Sequence, residues 1–241
     1  MTELTELLTG TVDAASVEAF LADKELPLVE GRRVTWAWRG EAEEVFLVHW
    51  VFGLEQSPAF QRVPGSDLWT LTLELPPASR VEYKIGIVRG GRQQLIRDDL
   101  NPNLANDPFG ANSVVHSAGY EHPDWVTPDP EAREGELIER TFVSDVYGGP
   151  RPVQIYLPPR YRETRRYPLL VVHDGMDYVR FAALKTVLDN LIWRLEIPPL
   201  VAVLTQSPDR LVEYSGDERQ GRFVVEEIVP LMEQELSLIH I

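Results

Sequence analysis

The sequence predicts two domains, an all-β sandwich followed by an α/β domain with a largely parallel sheet. Three observations lead to this prediction. Between residues 34 and 97, short runs of alternating apolar and polar residues follow one another with no helical segment between them. Prolines and carboxylates are frequent in residues 117–136, as in an inter-domain linker. Further on, two continuous apolar runs flank a segment of helical spacing, which indicates a β-α-β unit.

Composition and charge exclude several classes of partner. The 241 residues are 44% hydrophobic and 25% charged, as is ordinary for a globular protein. The formal net charge is −15 and no basic patch stands out, so nucleic acid is not an expected partner. The absence of cysteine excludes disulfides and thiolate metal sites. The five histidines lack the paired spacing of ligands, so we expect no metal and no cofactor.

The sequence also predicts no membrane partner. No apolar run approaches the roughly 20 residues that a membrane span needs. The acidic start Met1–Glu6 lacks the basic region of a signal peptide. Together with the missing cysteines, this favours a cytoplasmic location, whereas no pattern specifies an oligomeric state.

The first domain is predicted to consist of residues 31–118, preceded by a helical arm at residues 1–30. Residues 3–22 show helical spacing interrupted at Gly10, typical of two short amphipathic helices that pack on the next domain. The predicted strands are 34–38, 44–50, 67–75, 80–88, 93–97 and 113–116, with a hairpin turn at Gly90-Gly91.

The run 98–113 is rich in Asn, Asp and Pro, which predicts an ordered but irregular loop. Leu100, Leu104 and Phe109 are spaced through it as candidate anchors. Asp98 and Asp99 most simply shape the turn, although an acid–base pair or calcium ligands would use the same residue types.

The second domain is predicted at residues 137–241, after a linker at 119–136. It opens with a hairpin of strands 136–145 and 152–157. The apolar run that starts at Tyr167 predicts a central strand, because only a strand buried on both faces lacks alternation. The following segments predict a helix at 179–195, a strand at 198–204 and a helix at 217–235 with Asp217 as N-cap and a bend at Pro230.

The turn after the predicted central strand is the candidate functional site. In α/β sheets, ligands bind beyond the carboxyl ends of the strands. His173, Asp174, Gly175 and Met176 occupy that position in the second domain.

Several segments of the second domain resemble the esterases of the enterochelin esterase type. They are Tyr156-Leu-Pro-Pro159, the run from Tyr167 to Gly175, Arg210-Leu-Val-Glu-Tyr214, Asp217-Glu-Arg219 and the run from Phe223 to Pro230. In the first domain, Tyr83-Lys84 and the 98–113 loop are similar to that family's early-set, immunoglobulin-like domain. The resemblance covers roughly residues 33–235. It implies an immunoglobulin-like sandwich followed by an α/β-hydrolase domain with three layers, acting on a small-molecule ester such as a siderophore.

The resemblance also implies roles for individual residues. The loop after the third strand of an α/β-hydrolase donates one backbone N–H to the oxyanion hole, which makes Gly175 and Met176 the candidate donors. His173, Asp174, Arg210 and Glu213 are candidate substrate contacts. The alternatives are that Gly175 only permits a tight turn, that His173 is a satisfied buried histidine, and that Arg210 and Glu213 form salt bridges.

The chain departs from the family in one decisive respect, because no Gly-x-Ser-x-Gly nucleophile motif is present. Ser207, Ser215 and Ser237 lack the flanking glycines, and His240 is the only histidine after His173. None of the catalytic triad is therefore expected, and the chain is predicted to be inactive as it stands. The tail from Leu236 to Ile241 resembles translated adapter sequence, which predicts a reading frame truncated before the nucleophile.

Two further readings remain open. Trp36, Trp38, Trp50 and Trp69 could stack on sugars in a carbohydrate-binding module, although tryptophans that alternate within strands are usually core residues. A sheet without its later strands would also expose an apolar edge at the strand 198–204 or at its neighbour, which favours aggregation.

Overall fold

The computed structural model describes residues 12–22 and 24–236, and the chain divides into two units, residues 1–121 and 122–241. The predicted helix before Gly10 and the tail that contains Ser237 and His240 lie outside the described residues.

The first unit contains one described helix and two antiparallel sheets. Helix α1 (Ala14–Ala22) precedes β1 (Leu28–Glu30), β2 (Arg33–Arg39), β3 (Glu44–His49), β4 (Gln61–Arg62), β5 (Leu68–Glu74), β6 (Arg80–Arg89), β7 (Arg92–Ile96), β8 (Leu104–Asp107) and β9 (Gly110–His116). One sheet has the order β1-β2-β5-β4, and the other has the order β3-β6-β9-β8 with β7 also paired to β6. All the longer predicted strands are confirmed.

The two sheets share one core. Trp36 from β2 and Tyr83 from β6 are fully buried, and their rings meet edge to face with centroids 5.8 Å apart. Leu47 and Ile85 complete the same cluster from the second sheet. Helix α1 contributes Val17 and Phe20 to a separate cluster with β1, β2 and β5, so the described part of the predicted arm is built into this unit. The strands β1 and β4 were not predicted because two or three residues are too few to show alternation.

The run 98–113 is more regular than predicted, because β8 forms a hairpin with β9 in the register Leu104↔Ser113 to Asp107↔Gly110. Two of the predicted anchors are wrong: the side chains of Leu104 and Phe109 are 43% and 76% exposed. Phe109 is placed by the hairpin turn, where its N–H donates to Asp107 Oδ1 at 2.7 Å. Leu100 alone packs against a core cluster.

Asp98 shapes the turn before β8, as predicted. Its side chain is 2% exposed and accepts the Tyr83 hydroxyl at 2.6 Å and the Leu100 N–H at 3.0 Å. The Asp98 N–H donates to Ser113 Oγ at 2.8 Å, and Asn101 Nδ2 donates to the Tyr83 hydroxyl at 2.9 Å. The network satisfies the buried polar atoms that tie this loop to the second sheet.

Burial raises the pKa of Asp98 above its ordinary value of 3.8, because the carboxylate loses its hydration. The hydrogen bond from the Tyr83 hydroxyl lowers the pKa, but by less than burial raises it. The folded state therefore binds the proton more tightly than the unfolded state does. This contribution to stability is fully present below pH 3.8 and is lost as the pH rises through the folded pKa.

We therefore expect Asp98→Asn to change the pH dependence of stability. As the pH is raised from about 4 to 7, the free energy of unfolding of the natural chain should fall relative to that of Asp98→Asn, because the amide does not ionise. Urea denaturation of both proteins across this range measures the difference. The control is Glu44→Gln at an exposed position of β3, which should keep the natural pH dependence because Glu44 does not act on the Asp98 carboxylate. If the difference in the free energy of unfolding between the natural chain and Asp98→Asn does not vary with pH, the prediction is contradicted.

The second unit is an antiparallel hairpin joined to a β-α-β crossover. Its elements are β10 (Glu136–Ser144), β11 (Gly149–Leu157), β12 (Leu169–Val172), α2 (Gly175–Phe181), α3 (Leu184–Trp193), β13 (Val201–Thr205), α4 (Arg210–Glu213), α5 (Glu218–Arg222), a π-helical turn (Phe223–Ile228) and α6 (Val229–Glu235). The sheet order is β10-β11-β13-β12. β12 and β13 run parallel, in the register Leu169↔Val201 to Val172↔Leu204, which confirms the predicted crossover.

Two predictions about this unit are wrong. Within the described residues β12 is the end strand of the sheet and its Leu170 is 37% exposed, whereas β13 lies inside the sheet and is buried at every residue. The apolar run at Tyr167 indicated burial but could not fix the order of strands. The helix expected at 179–195 is two helices, because Ala183 adopts φ 53° and separates α2 from α3.

The segment before β10, predicted as a surface linker, is bound to α3. Asn190 Nδ2 donates to the carbonyls of Trp125 and Thr127 at 2.9 and 2.8 Å. The buried carboxylate of Asp189 accepts the Gly135 N–H at 2.7 Å. These bonds hold the segment against the crossover.

The last helical stretch confirms two sequence predictions. Asp217 caps α5 by accepting the Arg219 N–H at 2.9 Å. The π-helical turn Phe223–Ile228 lies directly before α6, in which Pro230 is the second residue. Proline has no N–H to donate, so the register of hydrogen bonds changes at this point.

Candidate active site

The predicted site residues lie at the carboxyl ends of β12 and β13. His173 and Asp174 form the turn between β12 and α2, and Thr205 ends the neighbouring strand. Parallel pairing places both strand ends at one edge of the sheet, where α/β proteins bind ligands.

Asp174 adopts a left-handed backbone conformation, which is uncommon for residues other than glycine. It has φ 51° and ψ 30°, and its side chain does not cap α2. Its carbonyl instead accepts the N–H groups of Asp177 and Tyr178 at 3.0 and 3.1 Å. Its Oδ2 lies 2.9 Å from Arg210 Nη2, and its Oδ1 is buried without a partner in the described structure. Left-handed backbone of this kind costs about 1–3 kcal/mol and is concentrated at functional sites.

The turn leaves two amide groups unused. The N–H groups of Gly175 and Met176 begin α2, and neither donates to any acceptor among the described residues. Amides at the start of a helix carry partial positive charge and bind anions. The two candidates for the predicted oxyanion donor are thus adjacent and without acceptors among the described residues, with Gly175 itself buried.

Gly175 is required by close packing and does not supply the positive φ of the turn. A Cβ at this position would lie 2.7 Å from Leu204 Cα, so α2 could not keep its contact with β13. The interpretation that Gly175 permits the tight turn is therefore corrected: Asp174 adopts the left-handed conformation, and Gly175 allows the helix to approach the sheet.

His173 is exposed, so the alternative of a buried histidine is wrong. Its Nδ1 lies 3.0 Å from Gln220 Nε2 and its ring centroid lies 5.4 Å from that of Tyr214. Gln220 Oε1 accepts the Tyr147 hydroxyl at 2.8 Å, which leaves the Gln220 amide N–H to donate to His173 Nδ1. The proton of a neutral His173 is then on Nε2.

The structure separates the two charged candidates on α4. Arg210 pairs with Asp174 and joins the site. Glu213 is buried, and both its carboxylate oxygens bind Arg151 of β11 at 3.1 and 2.6 Å. Arg151 also stacks on Tyr147, with its Cζ 3.7 Å from the ring centroid. Glu213 therefore anchors α4 to the hairpin through this ion pair.

Three functional candidates were missed by the sequence analysis. Gln206 donates to Asp177 at 2.9 Å, and its Oε1 is a second buried acceptor without a partner in the described structure. The Tyr214 hydroxyl accepts the Asp174 N–H at 3.4 Å, and burial raises the pKa of Tyr214. Gln220 is the third. Their separation along the chain gives no local motif, although the position of Gln206 directly after β13 was a usable signal.

Ser207 and Ser215, two of the serines of the second unit, serve local turns. Ser207 Oγ accepts the Asp209 N–H, and Ser215 Oγ donates to the Val212 carbonyl, each at 3.1 Å. Neither hydroxyl is bonded to a histidine. Ser237 and His240 lie outside the described residues.

The tryptophans of the first unit mainly fill its core. Trp36, Trp38 and Trp69 are at most 7% exposed, which leaves only Trp50, at 62%, able to stack on a sugar. Among residues 12–22 and 24–236, no three side chains of His, Asp or Glu converge as metal ligands. None of the helices in these residues is long and apolar enough to cross a bilayer.

Comparison with known proteins identifies the relatives of this fold. Residues 144–237 match the esterase family, described as "Putative esterase". The structure is similar to an enterobactin esterase from Shigella flexneri in the presence of enterobactin, with a TM-score of 0.69 and 24% identity over 92% of this chain and 66% of that one. The ferric enterobactin esterase from Salmonella typhimurium gives a TM-score of 0.70 at 20% identity, covering 92% of this chain and 67% of that chain.

The chain spans about two thirds of the length of these structures. At such identities the likeness establishes a shared fold, and the family match confirms the resemblance found in the sequence. No curated protein matches the chain.

The close approach of Gly175 to Leu204 predicts the effect of a methyl group. Gly175→Ala should lower the free energy of unfolding by about 2 kcal/mol or more, because Cβ would overlap the backbone of a buried strand. Chemical denaturation measures the change. Gly221→Ala is the matched control: it lies in α5 with open space around it and should be neutral or stabilising by up to about 1 kcal/mol. Equal effects of the two substitutions would refute the packing argument.

Proposed function

We propose that this chain, whose residues 144–237 match the esterase family model, carries the oxyanion-binding part of a carboxylic ester hydrolase of the enterochelin esterase type. The observation that carries the proposal is the pair of unused N–H groups of Gly175 and Met176 at the carboxyl edge of the sheet. The enterobactin esterases of similar fold support the same reaction class.

The proposed chemistry is stabilisation of a negative oxygen. When a nucleophile attacks an ester carbonyl, the oxygen gains charge, and preorganised amides stabilise that charge; loss of one donor typically costs about 10²–10³ in turnover. Gly175 and Met176 supply such donors, and the packing of Gly175 against Leu204 fixes them in place. The nucleophile itself is absent from the sequence, which contains no Gly-x-Ser-x-Gly motif.

The polar groups around the turn favour a substrate rich in hydrogen-bond donors. Asp174 Oδ1 and Gln206 Oε1 are acceptors without partners in the described structure, and a ligand hydroxyl that displaced the side chains covering them would satisfy both. Arg210 adds a positive charge and His173 an exposed imidazole. A small catechol ester of the siderophore type fits this set.

The proposal extends to the organisation of the chain. We assign residues 31–118 to an immunoglobulin-like, early-set domain and residues 137–241 to part of an α/β-hydrolase domain, with a cytoplasmic location that the absence of cysteine supports. Two antiparallel sheets with one core and a β10-β11-β13-β12 sheet with a parallel crossover are consistent with these assignments.

The chain as it stands should not turn over esters. Without a nucleophile–base pair no acyl-enzyme can form, so hydrolysis of p-nitrophenyl acetate should equal that in buffer. Release of p-nitrophenol followed by absorbance tests this, with heat-denatured protein as the control. Turnover well above buffer that survives a serine-directed inhibitor would contradict the proposed chemistry.

The oxyanion site should bind a product carboxylate even without a nucleophile. We expect N-(2,3-dihydroxybenzoyl)serine to bind, and Met176→Pro to weaken binding about tenfold, because proline removes one donor to a charged oxygen. Met176 is the second residue of α2 and its N–H has no acceptor among the described residues, so proline breaks no hydrogen bond of the helix there. Isothermal titration measures both affinities.

Met176→Leu is the matched control, since it keeps the N–H and the apolar side chain and should bind as the natural chain does. Equal affinities of the proline and leucine variants would show that the Met176 N–H does not bind the ligand. Failure of the natural chain to bind would overturn the proposed function.

A further inference from the structure

A cavity lies in the second unit at the end of the sheet away from the candidate active site. Its volume is about 690 Å³, within the range of sites for small ligands. The connection from β11 to β12 and the segment from the end of α3 to β13 line it. Both segments enter the amino ends of their strands, whereas the turn at Asp174 lies at the carboxyl end of β12. A strand of four residues separates the two sites by roughly 13 Å.

The lining of this cavity is basic, in contrast to the chain as a whole. Arg133, Arg160, Arg162 and Arg165 line it, and no Asp or Glu is among its described lining residues. None of the salt bridges found within residues 12–22 and 24–236 involves any of these four arginines. In a chain of net charge −15, four cations without carboxylate partners around one cavity form a local site for anions.

The backbone that carries two of the arginines is fixed. The Arg162 N–H donates to the hydroxyl of buried Tyr167 at 3.0 Å, and the Arg165 N–H donates to the Arg162 carbonyl at 3.0 Å. The ring of Tyr161 stacks on that of Tyr167 with centroids 5.1 Å apart. Arg165 lies over the same Tyr167 ring, with its Cζ 5.4 Å from the centroid. The guanidinium groups are therefore presented from a defined loop.

The cavity also has an apolar wall. Trp193 and Leu195 belong to its lining and are 40% and 85% exposed. Arg133 lies over one face of the indole, with its Cζ 6.0 Å from the ring centroid, so the lining combines an aromatic ring with a cation. Leu195 has φ 61°, which turns the chain out of α3 at this point.

The end of α3 alone does not account for the arginines. A helix C-terminus carries about half a unit of negative charge, which one cation balances. Arg194, at the C-cap of α3, already occupies this position and pairs with Asp124 at 2.8 Å. Four further guanidinium groups exceed what the helix end requires.

We propose that this cavity binds a small organic polyanion that carries phosphate groups and a planar ring. Guanidinium groups match phosphate oxygens with two parallel hydrogen bonds, which favours phosphate over a single carboxylate where several arginines converge. The exposed indole of Trp193 provides the stacking surface for the ring. The site is separate from the proposed esterase chemistry.

Isothermal titration of the full chain with ADP and with inorganic pyrophosphate tests the proposal. Both should bind, with ADP the tighter ligand, and Arg165→Gln should weaken both about tenfold by removing a charged hydrogen-bond donor. Trp193→Leu should weaken ADP about tenfold and leave pyrophosphate unchanged, because only ADP has a ring to stack.

Arg222→Gln is the matched control, because it removes the same charge from an exposed arginine of the second unit that pairs with Glu226. It should bind both probes as the natural chain does. The absence of binding, or equal losses in Arg165→Gln and Arg222→Gln, would overturn the proposed site. Equal affinities for ADP and pyrophosphate would overturn the assignment of a ring-bearing ligand.

Discussion

The parallel pairing of β12 with β13 determines where the polar residues of the second unit meet. Parallel strands need a crossover, and here α2 and α3 supply it. α2 packs so closely on β13 that a methyl group at Gly175 would meet the backbone of Leu204. β13 is buried along its whole length, so it offers a rigid surface for this contact. The start of α2 is thereby fixed at the edge of the sheet, next to Thr205.

This close approach explains the strain at Asp174. The chain must leave β12 and enter α2 within one turn, and Asp174 makes the turn with a left-handed backbone, which Asp tolerates better than most residues. The two N–H groups that its carbonyl accepts and the ion pair with Arg210 offset the cost. The N–H groups of Gly175 and Met176 have no acceptors among the described residues because they open the helix, and the packing on β13 fixes where they lie.

The sequence predicted the features that depend on local pattern. Alternation located the long strands, and the two apolar runs located the crossover, because burial on one or two faces leaves a period that can be read directly. The order of strands was not predictable, since Tyr167 and the residues after it read the same in an inner or an end strand. The break at Ala183 depends on a single backbone angle, and the Gln220 contact with His173 spans 47 residues. Neither leaves a local signal.

The hydrogen bonds of His173 decide which role it can take. In serine hydrolases a carboxylate binds Nδ1 of the catalytic histidine, which orients the ring and stabilises its positive charge. Here Nδ1 faces the amide of Gln220, which is held in turn by the Tyr147 hydroxyl of the β10–β11 turn. The amide N–H donates to Nδ1, so this nitrogen is already engaged, and the described residues place no carboxylate there. His173 is therefore suited to donate a hydrogen bond through Nε2 to a ligand, and not to act as the general base of a triad.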